Sequence, residues 1–449
     1  MDTETIGNTQ RTSVAGPSTV YKNYLLFVLM TVLAFNYLDR IALGVVLQDI
    51  KTDLRLSDTQ LGLMSGMAFA FFYSVMGIPI ARWADRANRI TIISITTGLW
   101  SIAVALCGGV ATFLQLLAVR VGVAVGEAGC IPPAHSLIAD NFSRAERPRA
   151  VARYMLGLPI SLVLGYFAAG WLNQLYGWRV TFVVISVPGL VLALMVALTL
   201  KEPRTRRSAL SGNDPRVLES TPPTTLQPSV SRAIVRLWQN RSFRHLLLAF
   251  AVWYFFGYGL LQWQPTFFVR SHGLATGELG MVLAVCSGGG ALLGVYLGGE
   301  WSSRYAANNE RFQLVAVAVM FALFGLFSFG TYVARTTGVA LTCLTIAAIG
   351  GNASQGPILA TMQTLVPPRM RAFSLALVYL LANLIGMGLG PLAAGALSDA
   401  LRPWAGNESL RYALLVFCPG YLWAAWHLLR ASKSVSADIE ALDNEDTAF

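Results

Sequence analysis

The stretch Ala81-Arg82-Trp83-Ala84-Asp85-Arg86 is a short basic turn, and Gly299-Glu300-Trp301-Ser302-Ser303-Arg304 resembles it more than 200 residues later. The first stretch follows the second of six apolar segments, and the second stretch follows the eighth of twelve. Because a membrane-spanning helix needs about 20 mostly apolar residues, these segments predict twelve spans in two related sets of six. The predicted bounds are 22–48, 57–82, 89–109, 112–140, 149–173, 178–200, 242–269, 276–300, 311–333, 337–364, 371–398 and 409–430.

The composition agrees with a membrane protein. Hydrophobic residues make up 55% of the 449 residues, charged residues make up 12%, and the mean hydropathy is +0.56. Soluble domains carry about 25% charged residues, so this chain has too little polar surface for a water-soluble globule. A net charge of +10 would also suit a nucleic-acid binder. The cations fall in short clusters between apolar segments, so we expect a lipid bilayer and no nucleic acid as the partner.

The spans divide the chain into five predicted regions: a tail (1–21), an N-terminal six-helix bundle (22–200), a linker (201–241), a C-terminal six-helix bundle (242–430) and a second tail (431–449). The linker is rich in Pro, Ser, Thr and Arg, which predicts a surface segment ending in a short helix on the membrane. We expect the acidic second tail to be frayed.

The distribution of positive charge predicts the orientation. If the N-terminus is cytoplasmic, about 24 of the 33 Lys and Arg residues fall on the cytoplasmic side, and about 7 fall outside. Both tails and the linker are therefore expected in the cytoplasm. An excess of Arg over Lys and the lack of a long external loop favour a bacterial inner membrane.

Four charged residues lie within predicted spans: Asp39 and Arg40 on the first, and Arg120 and Glu127 on the fourth. An ionised side chain at the bilayer centre costs about 2.5–3.5 kcal/mol even on the gentler insertion scale, so these residues must face a wet cavity or each other. Arg120 and Glu127 are two helical turns apart and share one face. Asp39 and Arg40 point about 100° apart and cannot both face the same partner.

Two interpretations of these charges are open. They could form a fixed ion-pair lattice that fastens the first span to the fourth. Alternatively, they could form a substrate-binding and proton-coupling site, which we favour. The planar arginine fork binds phosphate or carboxylate through two oxygens, and a carboxylate in a low-dielectric cavity can take up and release a proton.

Other polar and aromatic residues within spans are candidates for lining the same cavity, although each could equally be interhelical glue. These residues are Asn36, Tyr37, Tyr73, Tyr254, Tyr258, Gln262, Gln264, Asn352, Gln355 and Asn383. The five cysteines form no CxxC pair, and neither an HExxH nor a GxSxG motif is present. We therefore expect no metal site, no cofactor and no enzymatic activity.

The turn Asp85-Arg86-Ala87-Asn88-Arg89 resembles the signature loop of the major facilitator superfamily, and Arg120 with Gly126 resembles its fourth-helix motif. The resemblance spans 22–430 and implies two pseudo-symmetric six-helix bundles. Within the superfamily, Asn36-Tyr37-Leu38-Asp39-Arg40, Gly126-Glu127-Ala128 and Ile138-Ala139-Asp140 look most like the Spinster-like branch. This branch implies Asp39, Arg40, Arg120 and Glu127 as a headgroup and proton site. It also implies Asp85, Arg86, Arg89 and Asp140 as a cytoplasmic gating motif that holds the outward-open state.

Three functions follow in order of preference. The first is a proton-coupled secondary transporter of an amphiphilic anion or zwitterion, such as a lysophospholipid, working by alternating access as a monomer. The second is a proton symporter of small organic acids, because Gly129-Cys130-Ile131-Pro132-Pro133 and His135 resemble related organic-acid carriers. The third is a membrane sensor that binds a ligand without transporting it.

Overall fold

A computed structural model describes residues 18–143, 146–203, 230–305, 309–367 and 370–447, and its regular structure within these ranges is helical. Ten helical stretches among them are long and apolar enough to cross a membrane. Two of the ten, residues 149–199 and 373–431, are far longer than one crossing requires. The stretch 149–199 has 51 residues and would be about 77 Å long as one helix, whereas the hydrocarbon core is about 30 Å thick.

Each of these two stretches is broken at a glycine in the left-handed region of backbone space. Gly177 has φ 78° and ψ 167°, and Gly406 has φ 57°. These values suit glycine because it lacks a Cβ atom, so the chain can reverse there without steric cost. The breaks turn ten stretches into twelve membrane crossings.

The twelve crossings confirm the predicted fold class, an all-α membrane protein of two six-helix bundles. We name them spans 1–12 in chain order. The first six are Thr19–Leu54, Asp58–Ala84, Arg89–Cys107, Phe113–Asn141, 149–176 and 178–199. The second six are Arg241–His272, Thr276–Arg304, Glu310–Val333, Thr337–Thr364, 373–405 and 409–431. Most ends agree with the predicted bounds within a few residues, and the largest differences are at the end of span 11, seven residues beyond the prediction, and at the end of span 1, six residues beyond it.

Spans 2, 8 and 11 each contain a turn of wider π-helix, at Leu63–Ala68, Ala284–Gly289 and Ala382–Leu389. Such turns add a residue to the helix and are often found at functional sites. In this protein, π-helical turns lie where spans 1–6, the first half, pack against spans 7–12, the second half. Gly66 of span 2 faces the backbone of Gly388 in span 11, and Gly288 of span 8 faces Val163 in span 5.

Beyond the spans, the described residues form two further helices, one before span 7 and one at the C-terminus. Residues Val230–Gln239 form a helix before span 7, as predicted for the end of the linker; the rest of the predicted linker, 204–229, lies outside the described residues. That the helix Val230–Gln239 lies on the membrane surface stays a prediction. Residues 1–17 of the predicted N-terminal tail also lie outside the described residues.

The expectation of a frayed C-terminal tail is wrong. Residues Val435–Thr447 form a helix, and Val435 is fully buried. The carboxylate of Asp438 accepts a hydrogen bond of 2.9 Å from the backbone N–H of Ser242, in the first turn of span 7. The first N–H groups of a helix have no partner within it, so an acidic side chain from the tail satisfies one of them.

We call the end of the bundle that holds Lys22 and Glu146 the termini side, and the end that holds Asp58 and Asp399 the far side. On the termini side, Lys22 at the start of span 1 donates to Glu146 in the loop between spans 4 and 5, at 2.9 Å. This hydrogen bond from Lys22, together with one from the backbone N–H of Ser143, lowers the pKa of Glu146 to about 2.

Candidate functional site

Spans 1 and 4 bring the four predicted charges together as two crossed ion pairs, which we call the central charge cluster. Arg120 Nη1 donates to Asp39 Oδ2 at 2.9 Å. Arg40 Nε donates to Glu127 Oε2 at 2.7 Å, and Arg40 Nη2 donates to the same oxygen. The adjacent residues of span 1 therefore take different partners, as their 100° separation predicts.

The cluster lies in the interior of the protein. Asp39, Arg120 and Glu127 are each at most 1% exposed, and the Arg40 side chain is 13% exposed. Two positive and two negative charges make the cluster neutral as a whole. Mutual pairing is what a buried charge requires, because removing an ion from water costs several kcal/mol.

The pairing leaves hydrogen-bonding capacity unused. Among the described residues, Asp39 Oδ1, Glu127 Oε1 and Arg120 Nε are buried without a hydrogen-bond partner. A fixed lattice would be expected to satisfy these atoms, because an unpaired buried polar atom costs about 1–3 kcal/mol. Each carboxylate thus presents one free oxygen that can accept a proton or a donor group of a ligand.

Arg40 is surrounded by aromatic rings. Its guanidinium carbon lies 4.4 Å from the ring centre of Tyr37, 4.6 Å from that of Phe69 and 4.9 Å from that of Tyr73. Its Nη1 also lies 3.5 Å from the sulfur of Met387, in span 11. The sequence indicated Tyr37 and Tyr73 but not Phe69 or Met387, since apolar side chains within spans carry no distinguishing signal.

Several predicted lining residues instead form hydrogen bonds between or along helices. Gln264 donates to Ser287 at 2.9 Å, Gln355 donates to the Tyr254 hydroxyl at 3.1 Å, and Asn352 donates to Ala348 O of its own helix at 2.9 Å. The interhelical-glue interpretation therefore fits Gln264 and Gln355.

Two of the remaining predicted lining residues, Asn36 and Gln262, have buried polar atoms without a partner among the described residues. Asn36 is fully buried one turn before Arg40, and neither atom of its amide has a partner among the described residues. The same is true of the Gln262 amide nitrogen, while Asn383 is partly buried. Tyr258 packs its ring 5.4 Å from that of Tyr254. A role for these residues in lining a cavity stays a prediction.

The predicted gating motif is arranged around Arg89, a fully buried residue at the start of span 3. Arg89 Nη1 contacts Asp140 at 2.7 Å and donates to Ser136 at 2.8 Å, both on span 4. Its guanidinium and backbone N–H also bind the carboxylate of Glu202, which follows span 6. The sequence did not indicate Glu202. Arg86 is exposed, and the side chain of Asp85 lies outside what the structure describes. Arg89, Asp140 and Glu202 all belong to the first half of the chain.

The far side holds a second charge network that the sequence did not indicate. Asp58, at the start of span 2, accepts hydrogen bonds from Arg270 Nη1 at 2.8 Å and from Arg270 Nη2 at 2.7 Å. It also accepts from Lys51 and from the Ser398 hydroxyl. We call these four residues, with Asp399, the far-side lock. Asp399 completes it by accepting from the backbone N–H of Thr59 at 2.7 Å.

The far-side lock joins the two halves, because Lys51 and Asp58 belong to the first half and Arg270, Ser398 and Asp399 to the second. Close backbone contacts support the closure. A Cβ atom on Gly280 of span 8 would meet the Cα atom of Gly170 in span 5 at 2.8 Å. The two halves are thus packed tightly at the far side of the central charge cluster.

Comparison with known proteins places this geometry in context. The sequence profile of the Major Facilitator Superfamily matches residues 29–391. An MFS-type efflux pump of Mycolicibacterium smegmatis is 31% identical over 389 residues, which cover 87% of each chain. A probable galactarate/D-glucarate transporter of Bacillus subtilis is 26% identical over 62% of this chain and 65% of its own. The crystal structure of a bacterial homolog of the human lysosomal transporter Spinster, in an inward-facing and unoccupied conformation, superposes with a TM-score of 0.78. It is 29% identical and covers 94% of this chain and 99% of its own.

Proposed function

This chain belongs to the Major Facilitator Superfamily and is a membrane transporter, and we propose that it couples transport to protons. The proposed cargo is an amphiphilic anion or zwitterion, such as a lysophospholipid, carried by alternating access. The observation that carries the proposal is the central charge cluster, in which each of two buried carboxylates keeps one oxygen free. The similarity to the Spinster homolog agrees with the Spinster-like resemblance of the sequence, which is the basis for proposing a lipid-like cargo.

The proposed coupling begins at Glu127. A proton that binds its free oxygen Oε1 neutralises the carboxylate and weakens its ion pair with Arg40. The released guanidinium can then bind two oxygens of a phosphate or carboxylate. One proton and one anion together leave the charge of the site unchanged, so the loaded site crosses the bilayer without added charge, which would otherwise be costly.

The aromatic rings around Arg40 support a cargo with a charged headgroup. Tyr37, Phe69 and Tyr73 fix the guanidinium through cation–π contacts while leaving its edge available for an oxyanion. Each such contact contributes about 0.5–2 kcal/mol, depending on how far the cation is removed from water.

For the orientation, we propose that both termini lie in the cytoplasm of a bacterial inner membrane, as the distribution of Lys and Arg favours. The far side then faces outward, and a closed far side corresponds to an inward-facing transporter. The crystal structure of the Spinster homolog is also inward-facing. In this state Arg89 binds Asp140 and Glu202 within its own half, in line with a gating motif that engages only when the transporter opens outward.

A second candidate function is proton-coupled transport of a small organic acid. The buried amide of Asn36, which has no partner among the described residues, is suited to a cargo with hydroxyl groups rather than an acyl chain. The similarity to the galactarate/D-glucarate transporter supports this alternative.

Flux measurements in liposomes test both the coupling and the cargo. Wild-type protein should show uptake that responds to a pH gradient, with either lysophosphatidylcholine or D-glucarate as cargo. Glu127→Gln should retain exchange of cargo without a gradient but lose the response to it. Glu278→Gln, at an exposed position of span 8, is the matched control and should behave as wild type. A gradient response in Glu127→Gln equal to that of wild type would remove Glu127 from the coupling role.

A further inference from the structure

A small cavity of about 190 Å³ lies at the far side, between the two halves of the protein. The first half contributes Gln48, Lys51 and the buried Asp58 to its lining, and the second half contributes Arg270, Arg402 and Asn407. The cavity is separate from the central charge cluster. The axial distance from Arg40 to Lys51 along span 1 is about 16 Å.

The charge around this cavity is unbalanced. Lys51, Arg270 and Arg402 contribute three positive charges, and Asp58 contributes one negative charge. Asp399 lies next to Asp58 but directs its carboxylate to Thr59 and to the backbone N–H of Asp58. Even with Asp399 counted, the group keeps an excess of one positive charge.

Asp58 cannot compensate for a further cation, because its acceptor capacity is full. Its Oδ1 accepts from Lys51 and Arg270, and its Oδ2 accepts from Arg270 and Ser398. A carboxylate offers about four lone-pair positions, and all four are used. Lys51 and Arg270 retain unused N–H groups, since an ammonium has three donors and a guanidinium has five.

Arg402 adds the third positive charge. It is exposed, and among the described residues it has neither an ion-pair nor a hydrogen-bond partner. It lies close enough to Lys51 for the two charges to repel each other. Holding three cations around one saturated carboxylate is unfavourable unless an anion joins them.

We propose that this cavity is an anion-binding site for a small oxyanion, a carboxylate, sulfate or phosphate group, held by Lys51, Arg270 and Arg402. The volume suits a group of that size and is too small for a complete lysophospholipid, since pockets for drug-sized ligands measure about 300–1,000 Å³. The proposal does not depend on which cargo the central charge cluster binds.

The site predicts a regulatory effect on transport. Because its cations come from both halves, the site is complete only when the far side is closed. An anion therefore binds the closed far side more tightly and shifts the population toward it. Occupancy from the far side should slow any transport cycle that must open there.

Thermal unfolding of the purified protein, followed with a thiol-reactive fluorescent dye, tests the site. Sodium sulfate is varied from zero to 5 mM with sodium chloride added to keep the ionic strength constant. We expect a saturable rise in the melting temperature of about 3–6 °C at ten times the half-saturating concentration, where binding contributes about 1.4 kcal/mol. A parallel series with phosphatidic acid in the micelle distinguishes a lipid headgroup from a free anion as the source of the oxyanion.

Two arginine variants separate the site from general salt effects. Arg402→Gln removes a cation that lines the cavity without touching the Asp58–Arg270 pair, and should abolish the saturable rise. Arg335→Gln removes an exposed far-side cation outside the cavity and should keep it. The proposal is overturned if neither sulfate nor phosphatidic acid gives a saturable rise, or if Arg402→Gln shows the same rise as wild type.

Discussion

The ion pair between Asp39 and Arg120 is the most demanding test of the central charge cluster. Both side chains are almost completely buried, and Arg120 Nη1 lies 2.9 Å from Asp39 Oδ2. Asp39→Asn keeps the shape of the side chain and removes its charge. Arginine does not lose its proton in proteins, so the variant leaves a charge of +1 in the interior.

The expected cost follows from that residual charge. Removing one partner of a buried ion pair costs about 3–5 kcal/mol, and asparagine keeps an oxygen that can accept from Arg120. We therefore expect about 3 kcal/mol of lost stability. A unit of 150–250 residues, the size of one half, loses about 2–4 °C of melting temperature per kcal/mol. Asp39→Asn should then melt about 6–12 °C below wild type.

The protein carries its own probes for this measurement. Cys107 and Cys130 of the first half and Cys418 of the second are buried free thiols, which a thiol-reactive dye reaches only on unfolding. Asp53→Asn is the matched control, because its partner Arg179 and Asp53 itself are each about 40% exposed. Exposed pairs contribute about 0–1 kcal/mol, so this variant should melt within about 4 °C of wild type.

The double variant Asp39→Asn/Arg120→Gln makes the result decisive. Replacing both partners of a buried pair removes the residual charge, so at least half of the lost stability should return. The reasoning fails if Asp39→Asn is no more harmful than Asp53→Asn. It also fails if the double variant loses the sum of the two single losses, since additive losses would mean that the two side chains do not interact.

Three further expectations follow from the structure. Arg120→Gln should lower stability by about 3 kcal/mol, measured by the same thiol assay, because it leaves the buried Asp39 without its charged partner. Gly288→Ala should impair transport by obstructing the close approach to Val163, whereas the neighbouring Gly289→Ala, whose Cβ meets nothing within 4 Å, should leave flux unchanged. Glu202→Gln should lower stability by about 1–3 kcal/mol, measured by the same thiol assay, because Arg89 keeps Asp140 but loses a charged partner.

The spans could be predicted because the bilayer imposes a simple rule. Apolar runs of about 20 residues bounded by charge are rare outside membranes, and the breaks at residues 177 and 406 fall where the predicted loops lie. The helical C-terminal tail could not be predicted, because no such simple rule applies to it. Its order depends on contacts with residues far away in sequence, among them the hydrogen bond from Ser242 to Asp438 and the burial of Val435, and local composition does not reveal such contacts.

The sequence predicts which residues form the central charge cluster, but it does not predict which of them pair with each other. A charge within a span is conspicuous because of its cost, so Asp39, Arg40, Arg120 and Glu127 stand out. Which acid meets which base depends on how spans 1 and 4 are rotated against each other, and packing decides that rotation. The far-side lock was missed because Asp58 and Arg270 lie at span ends, where charged residues are ordinary.

Spans 1 and 11 each connect the central charge cluster to the far-side lock. Span 1 carries Arg40 and, eleven residues later, Lys51; span 11 carries Met387 and, eleven residues later, Ser398. In both helices that separation is about 16 Å along the axis, so Lys51 and Ser398, which both bind Asp58, are equally far from the Arg40–Met387 contact. Because helices transmit motion along their length, we expect that opening the far-side lock, in which Lys51 and Ser398 both bind Asp58, also changes how Arg40 meets Met387. In the proposed coupling, proton binding at Glu127 acts on Arg40, so we expect the charge state of the cluster to be linked to the closure of the far side.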